Sequence, residues 1–197
     1  MLLNRRTLLA FALAVTMPSG AAWALSPSEA ERFVESLGTE LREIVQEATP
    51  GDPRADAFLD LFRRTTALSD IGRFTMGRHW PEMSDAQRAA FLEAFERYAA
   101  RAYTNRLGDY DGQRLEVRGS QDVGRRGILV RTVLIQPNAQ DLQIDWLIND
   151  RNGEPQVVDI VAEGVSLSIA QREEFAGMVE RRGGDYDRFI SDLDGLG

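Results

Sequence analysis

Few side chains in this sequence fall into combinations that do chemistry. His79 is its one histidine and cysteine is absent, so a zinc site, ordinarily built from several Cys and His, would need unusual ligands. A Ser-His-Asp triad would have His79 as its only base, and no G-x-S-x-G elbow presents a nucleophile to it. Neither a Walker loop nor a G-x-G-x-x-G turn occurs. Two carboxylates remain. Asp145 and Asp159 fall on neighbouring expected strands, and buried together they would titrate as a coupled pair with one pKa raised. Facing solvent, or paired with Arg131, they would do no chemistry, and that is the common fate of carboxylates. His79, beside Trp80 and Pro81, reads as a packed side chain. The residues favour a binding protein over an enzyme, with no metal and no cofactor.

The elements that would position such residues come in two blocks. Ser26-Pro27-Ser28-Glu29 is a capping box with Pro at the first helical position. Phe33, Leu37, Leu41, Ile44 and Val45 follow at helical spacing, to a stop near Thr49-Pro50-Gly51. A second helix follows Asp52-Pro53 with Phe58, Leu59 and Phe62 inward, and a short one runs from Leu68 to Gly77. Ser84-Asp85-Ala86-Gln87 caps the longest helix, to Leu107, whose stripe of Phe91, Phe95, Tyr98, Ala102 and Tyr103 is core or pocket wall. The period then changes to two. Strands are expected at Leu115–Val117, Ile128–Ile135, Leu142–Ile148 and Gln156–Val161, joined by short turns into an antiparallel meander. Both faces of the second strand are largely apolar, so helices are expected over much of each. Glu163-Gly164 ends the last strand, with Gly164 a tight turn or a hinge. Ser166 or Ser168 caps a helix from Ile169 to Arg182, and a last one runs from Tyr186 to Leu193. Helices first and strands later mean α+β, and the surplus of apolar faces permits a greasy cavity.

Residues 1–24 read as a cleaved signal peptide. Arg5-Arg6 is a basic start, Leu8 to Met17 is an uncharged apolar run too short to span a bilayer, and Ala22-Trp23-Ala24 is a small-x-small cleavage site. Arg5-Arg6 also suits a twin-arginine signal, so the export route is Sec or twin-arginine. Residues 25–197 suit one domain. The net charge of −8 becomes −10 without Arg5 and Arg6, and every basic residue apart from His79 is Arg. Such an acidic chain is a poor nucleic-acid binder and is repelled by anionic membranes, which points to a soluble monomer that docks on proteins.

The stretch E-G-V-S-L at Glu163–Leu167, with Arg172, Glu174 and Phe175 behind it, resembles the MlaC or toluene-tolerance (Ttg2-type) family of periplasmic phospholipid-binding proteins. Gly77-Arg78-His79-Trp80, the S-D-A-Q-R-A-A-F-L-E-A-F run from Ser84 and then Tyr103 extend the likeness over Phe33 to Leu193. The resemblance implies a curved antiparallel sheet of about four strands, like the nuclear-transport-factor cone, packed against a helical bundle with an apolar cavity between. The helical part would be 26–110, the sheet 113–163 and the C-terminal helices 168–194. It implies a soluble carrier in the periplasm whose cargo is a phospholipid. The partners would be an outer-membrane lipoprotein complex and an inner-membrane ABC transporter complex with a lipid-binding ring protein, together maintaining outer-membrane lipid asymmetry. Expected lipid-binding residues are Trp80, Phe91, Phe95, Tyr103, Val130, Thr132, Ile144, Trp146, Val158, Ile160, Val165 and Leu167. Three alternatives stand beside this: a hopanoid-associated carrier of the same family, an enzyme on the cone-shaped fold using Asp145 or Asp159 as base, and an interaction module with no ligand, whose apolar faces would close into a solid core.

Overall fold

The computed structural model describes residues 25–47, 52–107, 112–151 and 153–196; the expected leader, residues 1–24, lies outside them. Helix α1 (Pro27–Glu47) starts where the capping box places it. The Ser26 hydroxyl accepts from the Glu29 N–H at 3.3 Å, and the Glu29 carboxylate accepts from the Ser26 N–H at 2.8 Å. Helix α2 (Asp52–Thr65) and α3 (Leu68–Met76) follow. Gly77, at φ +49°, ends α3 in a backbone region that favours glycine and leads into a 3-10 turn over Gly77–Glu82. Helix α4 (Asp85–Leu107) has the second reciprocal box, between Ser84 and Gln87. After the sheet come α5 (Leu167–Arg181), with Ser166 accepting from the Ile169 N–H, and α6 (Tyr186–Leu193).

These late helices close a core of their own. The Phe91 ring lies 5.8 Å from Phe95, 6.0 Å from Phe175 and 6.1 Å from Phe189. Met76, Met83, Met178, Val179 and Leu193 complete the cluster.

The sheet is an open, curved antiparallel meander in the order β1 (Arg114–Asp122), β2 (Ile128–Ile135), β3 (Leu142–Arg151), β4 (Glu154–Ala162), β5 (Val165–Ser166). The α+β class is as expected, with one strand beyond the four. β5 is only two residues long, and its hairpin needs positive φ at both turn positions. Glu163 (φ 48°) and Gly164 (φ 80°) supply it. Glu163 is steadied by β3: its carboxylate accepts from the Gln143 N–H at 2.6 Å, and its N–H donates to the Gln143 carbonyl at 3.0 Å. Gly164 therefore forms a tight turn.

Burial in the sheet favours one parity. Ile128, Val130 and Thr132 of β2 and Ile148 of β3 are buried against α1 and α2 with Ala30, Val34 and Leu61. Leu129, Val133 and Leu147, on the opposite parity, are half-buried, and Arg131 is exposed. The expectation of helices over both faces thus gives way to one covered face.

A bulge interrupts the β3–β4 ladder. Leu147 pairs with Asp159 and Ile148 with Val157, which leaves Val158 as the extra residue. Val157 therefore shares the inner face with Ile160, and strict alternation through Val158 fails. β5 covers β4 only at Val161 and Ala162. Lower down, the α2–α3 connector meets the same edge: Thr66 bridges to Val157, and the Ala67 N–H donates to the Val157 carbonyl at 2.9 Å.

Candidate functional site

Between the aromatic helical core and the core under the sheet the packing leaves a partly open cavity of about 590 Å³. Its floor is the inner face of β3 and β4, with Leu142, Ile144 and Trp146 alternating toward it, joined by Val157, Ile160 and Ala162 across the bulge. α1 contributes Leu37 and Leu41, and α2 contributes Phe58, Leu61 and Phe62. α3 presents Leu68 and Ile71, α4 presents Phe95, Tyr98, Ala99 and Ala102, and α5 presents Leu167 and Ala170. Each is a turn-spaced or alternate residue on the buried stripe of its element.

Most of the few polar groups on this wall are already hydrogen-bonded. Thr65 donates to the Leu61 carbonyl at 2.7 Å and Thr75 to the Gly72 carbonyl at 2.8 Å. The Trp146 indole N–H donates to Thr132 at 3.1 Å, and the Thr132 hydroxyl donates to the Ile144 carbonyl at 2.6 Å. Trp146 can then show the cavity a ring with no unpaired donor. A polar stripe of α5 forms one border: Tyr98 donates to Gln171 at 3.1 Å, which donates to Glu174 at 2.9 Å. Asp159 accepts from the Ser166 hydroxyl at 2.6 Å, the Ser168 N–H at 3.1 Å and its neighbour Ile160 N–H at 2.9 Å, which ties β4 to the start of α5. Most of the wall is apolar, a surface that can take apolar chains by area.

Of the residues expected to bind, Phe95, Ile144, Trp146, Ile160 and Leu167 line the cavity. Phe91 is fully buried in the helical core, and Trp80 packs edge-on against it at 6.4 Å. Val130 and Thr132 are fully buried and do not line the cavity: Val130 packs with Ala30 and Val34 of α1, and Thr132 is hydrogen-bonded behind Ile144 and Trp146. Val158 is the bulged residue and stands off the wall, and Val165 is 56 % exposed on β5. Tyr103 falls near the end of α4, and its side chain lies outside the described residues. The contributions of α1, α2 and α3 were missing from the expectation. Their apolar stripes were visible as helical spacing, but spacing does not separate a side chain facing a void from one facing another side chain.

The candidates for chemistry do not converge. Asp145 is buried on the parity opposite Ile144 and Trp146, and the Gln143 amide donates to both its oxygens at 3.2 Å. Asp159 is engaged with α5, so the two carboxylates share no partner. His79 is buried away from the cavity, its Nδ1 3.3 Å from the Tyr186 hydroxyl. Burial, and then the hydrogen bond donated to Glu82, push the Tyr186 phenol up to about 12. Among the described residues no three His, Cys, Asp or Glu could hold a metal ion together, and no helix is long and apolar enough to cross a membrane.

The family model described as MlaC protein matches residues 25–194. The Haemophilus influenzae protein named intermembrane phospholipid transport system binding protein MlaC is 25% identical over 122 residues, 60% of this chain and 57% of that protein. The toluene tolerance protein ttg2D of Pseudomonas putida is 27% identical over 105 residues, 53% of this chain and 48% of that protein. The chain thus spans about half the length of these two relatives. In shape it is similar to a phospholipid-binding protein of Ralstonia solanacearum, solved in complex with a phospholipid. The TM-score is 0.68 at 18% identity, over 83% of this chain and 98% of that one.

Proposed function

The chain belongs to the MlaC family, and from that premise we propose that it is a periplasmic phospholipid carrier. In this reading the acyl tails lie in the cavity between sheet and helices, with the headgroup at its mouth, and the cargo passes between outer-membrane and inner-membrane complexes. The observation that carries the reading is the cavity itself, walled by apolar side chains whose polar neighbours are already hydrogen-bonded. Enclosure is what this cargo needs. About thirty methylenes leaving water are worth on the order of 24 kcal/mol at ~0.8 kcal/mol each, so free diffusion of a diacyl lipid through water is negligible. A wall that grips tails by area also lets go to a partner of similar greasiness, which specific polar contacts would hinder. Asp145 does not line the cavity, and Asp159, which does, is engaged by Ser166, Ser168 and Ile160, which favours carriage over catalysis. The partly open cavity of about 590 Å³ gives the tails an apolar wall on several sides.

Extraction of the purified protein with organic solvent, followed by mass spectrometry, tests this. A diacyl glycerophospholipid near one per protein is expected. A polycyclic hopanoid in its place, or protein that folds and stays empty after exposure to phospholipid vesicles, would overturn it.

A further inference from the structure

A second groove, of about 600 Å³, lies on the other side of the helices that wall the cavity. α3 turns Leu68 and Ile71 to the cavity and Phe74 to this groove, and α5 turns Leu167 and Gln171 one way and Ile169 and Arg172 the other. Phe74 (41 % exposed) and Ile169 (50 % exposed) both line it, and they are two of only four large apolar side chains exposed among the described residues. Between them lies Arg172, its guanidinium 5.2 Å from the centre of the Phe74 ring. It runs so close over Gly77 that a Cβ there would stand 2.5 Å from its Nε. The ring below and the glycine beside it hold the planar fork in place. Arg78 in the same groove is neutralised by Glu180; Arg172 has no carboxylate within ion-pair distance among the described residues, although Glu173 follows it in the chain.

We propose that this groove is a docking site for a short segment of a partner protein in which an apolar side chain lies next to a carboxylate. The apolar group settles between Phe74 and Ile169, and the carboxylate takes the open face of the Arg172 fork, the geometry for which guanidinium is suited. Stacking on Phe74 leaves those donors free, and a guanidinium already fixed loses little freedom on pairing. A lipid surface is a poorer occupant, because a chain of net charge −8 is repelled by anionic membranes. A second copy is poorer too, because a groove set against its own image leaves both unfilled. The segment would sit one helix away from the cavity. The proposal stands whether or not the cavity takes lipid, and its supporting readout is peptide binding, with lipid vesicles only as a competing occupant.

His79 also lines the groove and is the chain's one histidine, so its imidazole signals are a single reporter. The labelled full chain is titrated with an N-acetylated, C-amidated Gly-Leu-Glu-Leu-Gly peptide and with its Gln counterpart. Saturable shifts of the His79 resonances are expected with the Glu peptide. Affinity should fall about two- to fivefold with the Gln peptide and in Arg172→Gln, as loss of an exposed ion pair implies. Phe74→Ser, at a position already exposed, should weaken binding of both peptides, and Ile169→Ser gives the same reading independently. Absence of shifts, or equal affinity for the Glu and Gln peptides, would sink the proposal. So would His79 shifts that grow with protein concentration alone and vanish in Phe74→Ser, which would name a second copy as occupant, or shifts brought on by phosphatidylglycerol vesicles, which would name a membrane.

Discussion

Replacing Ile144 with aspartate puts a charge where acyl tails are proposed to lie, and its cost can be worked out. Ile144 stands on the inner face of β3 and lines the cavity. With the cavity empty and partly open, an aspartate there meets water and keeps a pKa near its ordinary ~3.9. With tails packed against it the carboxylate must either stay charged without water, which costs several kcal/mol, or take up a proton. At pH 7 the proton route costs about three pH units at ~1.4 kcal/mol each, about 4 kcal/mol, which caps the penalty near 10³ in Kd. The sign follows. Lipid raises the pKa of this group, so the penalty is full at neutral pH, shrinks about tenfold per unit as pH falls, and is gone below about 4. Val158→Asp is the control, because the bulge sets Val158 off the cavity wall. Delipidated proteins, checked for folding by circular dichroism, would be titrated with a fluorescent-tailed phospholipid at pH 7 and pH 5. Wild-type affinity for Ile144→Asp at pH 7, or an equal loss for Val158→Asp, would refute the placement of the tails.

Four other outcomes are expected. Phe91→Ala removes a fully buried ring at the centre of the aromatic cluster and should cost about 3–5 kcal/mol in urea unfolding. Gly127→Ala should prevent stable folding, because its Cβ would lie 2.0 Å from the Ile148 carbonyl oxygen at φ +114°; circular dichroism of the variant checks this. Gly164→Ala meets open space and should cost only the roughly 1–2 kcal/mol of left-handed backbone, seen as a lower Tm with unchanged transfer of lipid between vesicles; slowed transfer would revive a hinge. Tyr186, raised from 10 to about 12 mainly by burial, stabilises the fold fully below about pH 10 and loses that contribution between 10 and 12; Tyr186→Phe should flatten the fall in stability over that window in denaturant titrations.

What could be read ahead of the structure was whatever local chemistry decides. Ser26 with Glu29, Ser84 with Gln87, and Ser166 cap helices because a hydroxyl one turn before a free N–H has little else to do. The meander follows from short turns between alternating strands. The face of β4 was misjudged because Val157 and Val158 are chemically alike, and only pairing with β3 decides which one bulges. Phe91 and Phe95 sit on one stripe of α4, yet one is deep in a core and the other on the cavity wall. Hydrophobicity marks both as inward, and whether the space beyond is filled depends on α5 and α6, about eighty residues later in the chain. β5 escaped notice because two residues give no period.

An open sheet carries a hazard that a closed barrel does not. The backbone of an outer strand can zip onto any extended chain it meets, and the proposed carrier role would bring it many. β4 is nearly an outer strand, since β5 covers only its last two residues. The contacts that looked like local irregularities blunt that edge. Pro155 offers no N–H, the bulge at Val158 breaks the straight run of groups, and the α2–α3 connector occupies the Val157 carbonyl through Ala67. Loosening the connector, which belongs to the same helices that wall the cavity, would therefore uncover a sticky edge as well as an apolar interior. Aggregation, more than loss of cargo, should be the first sign of damage there.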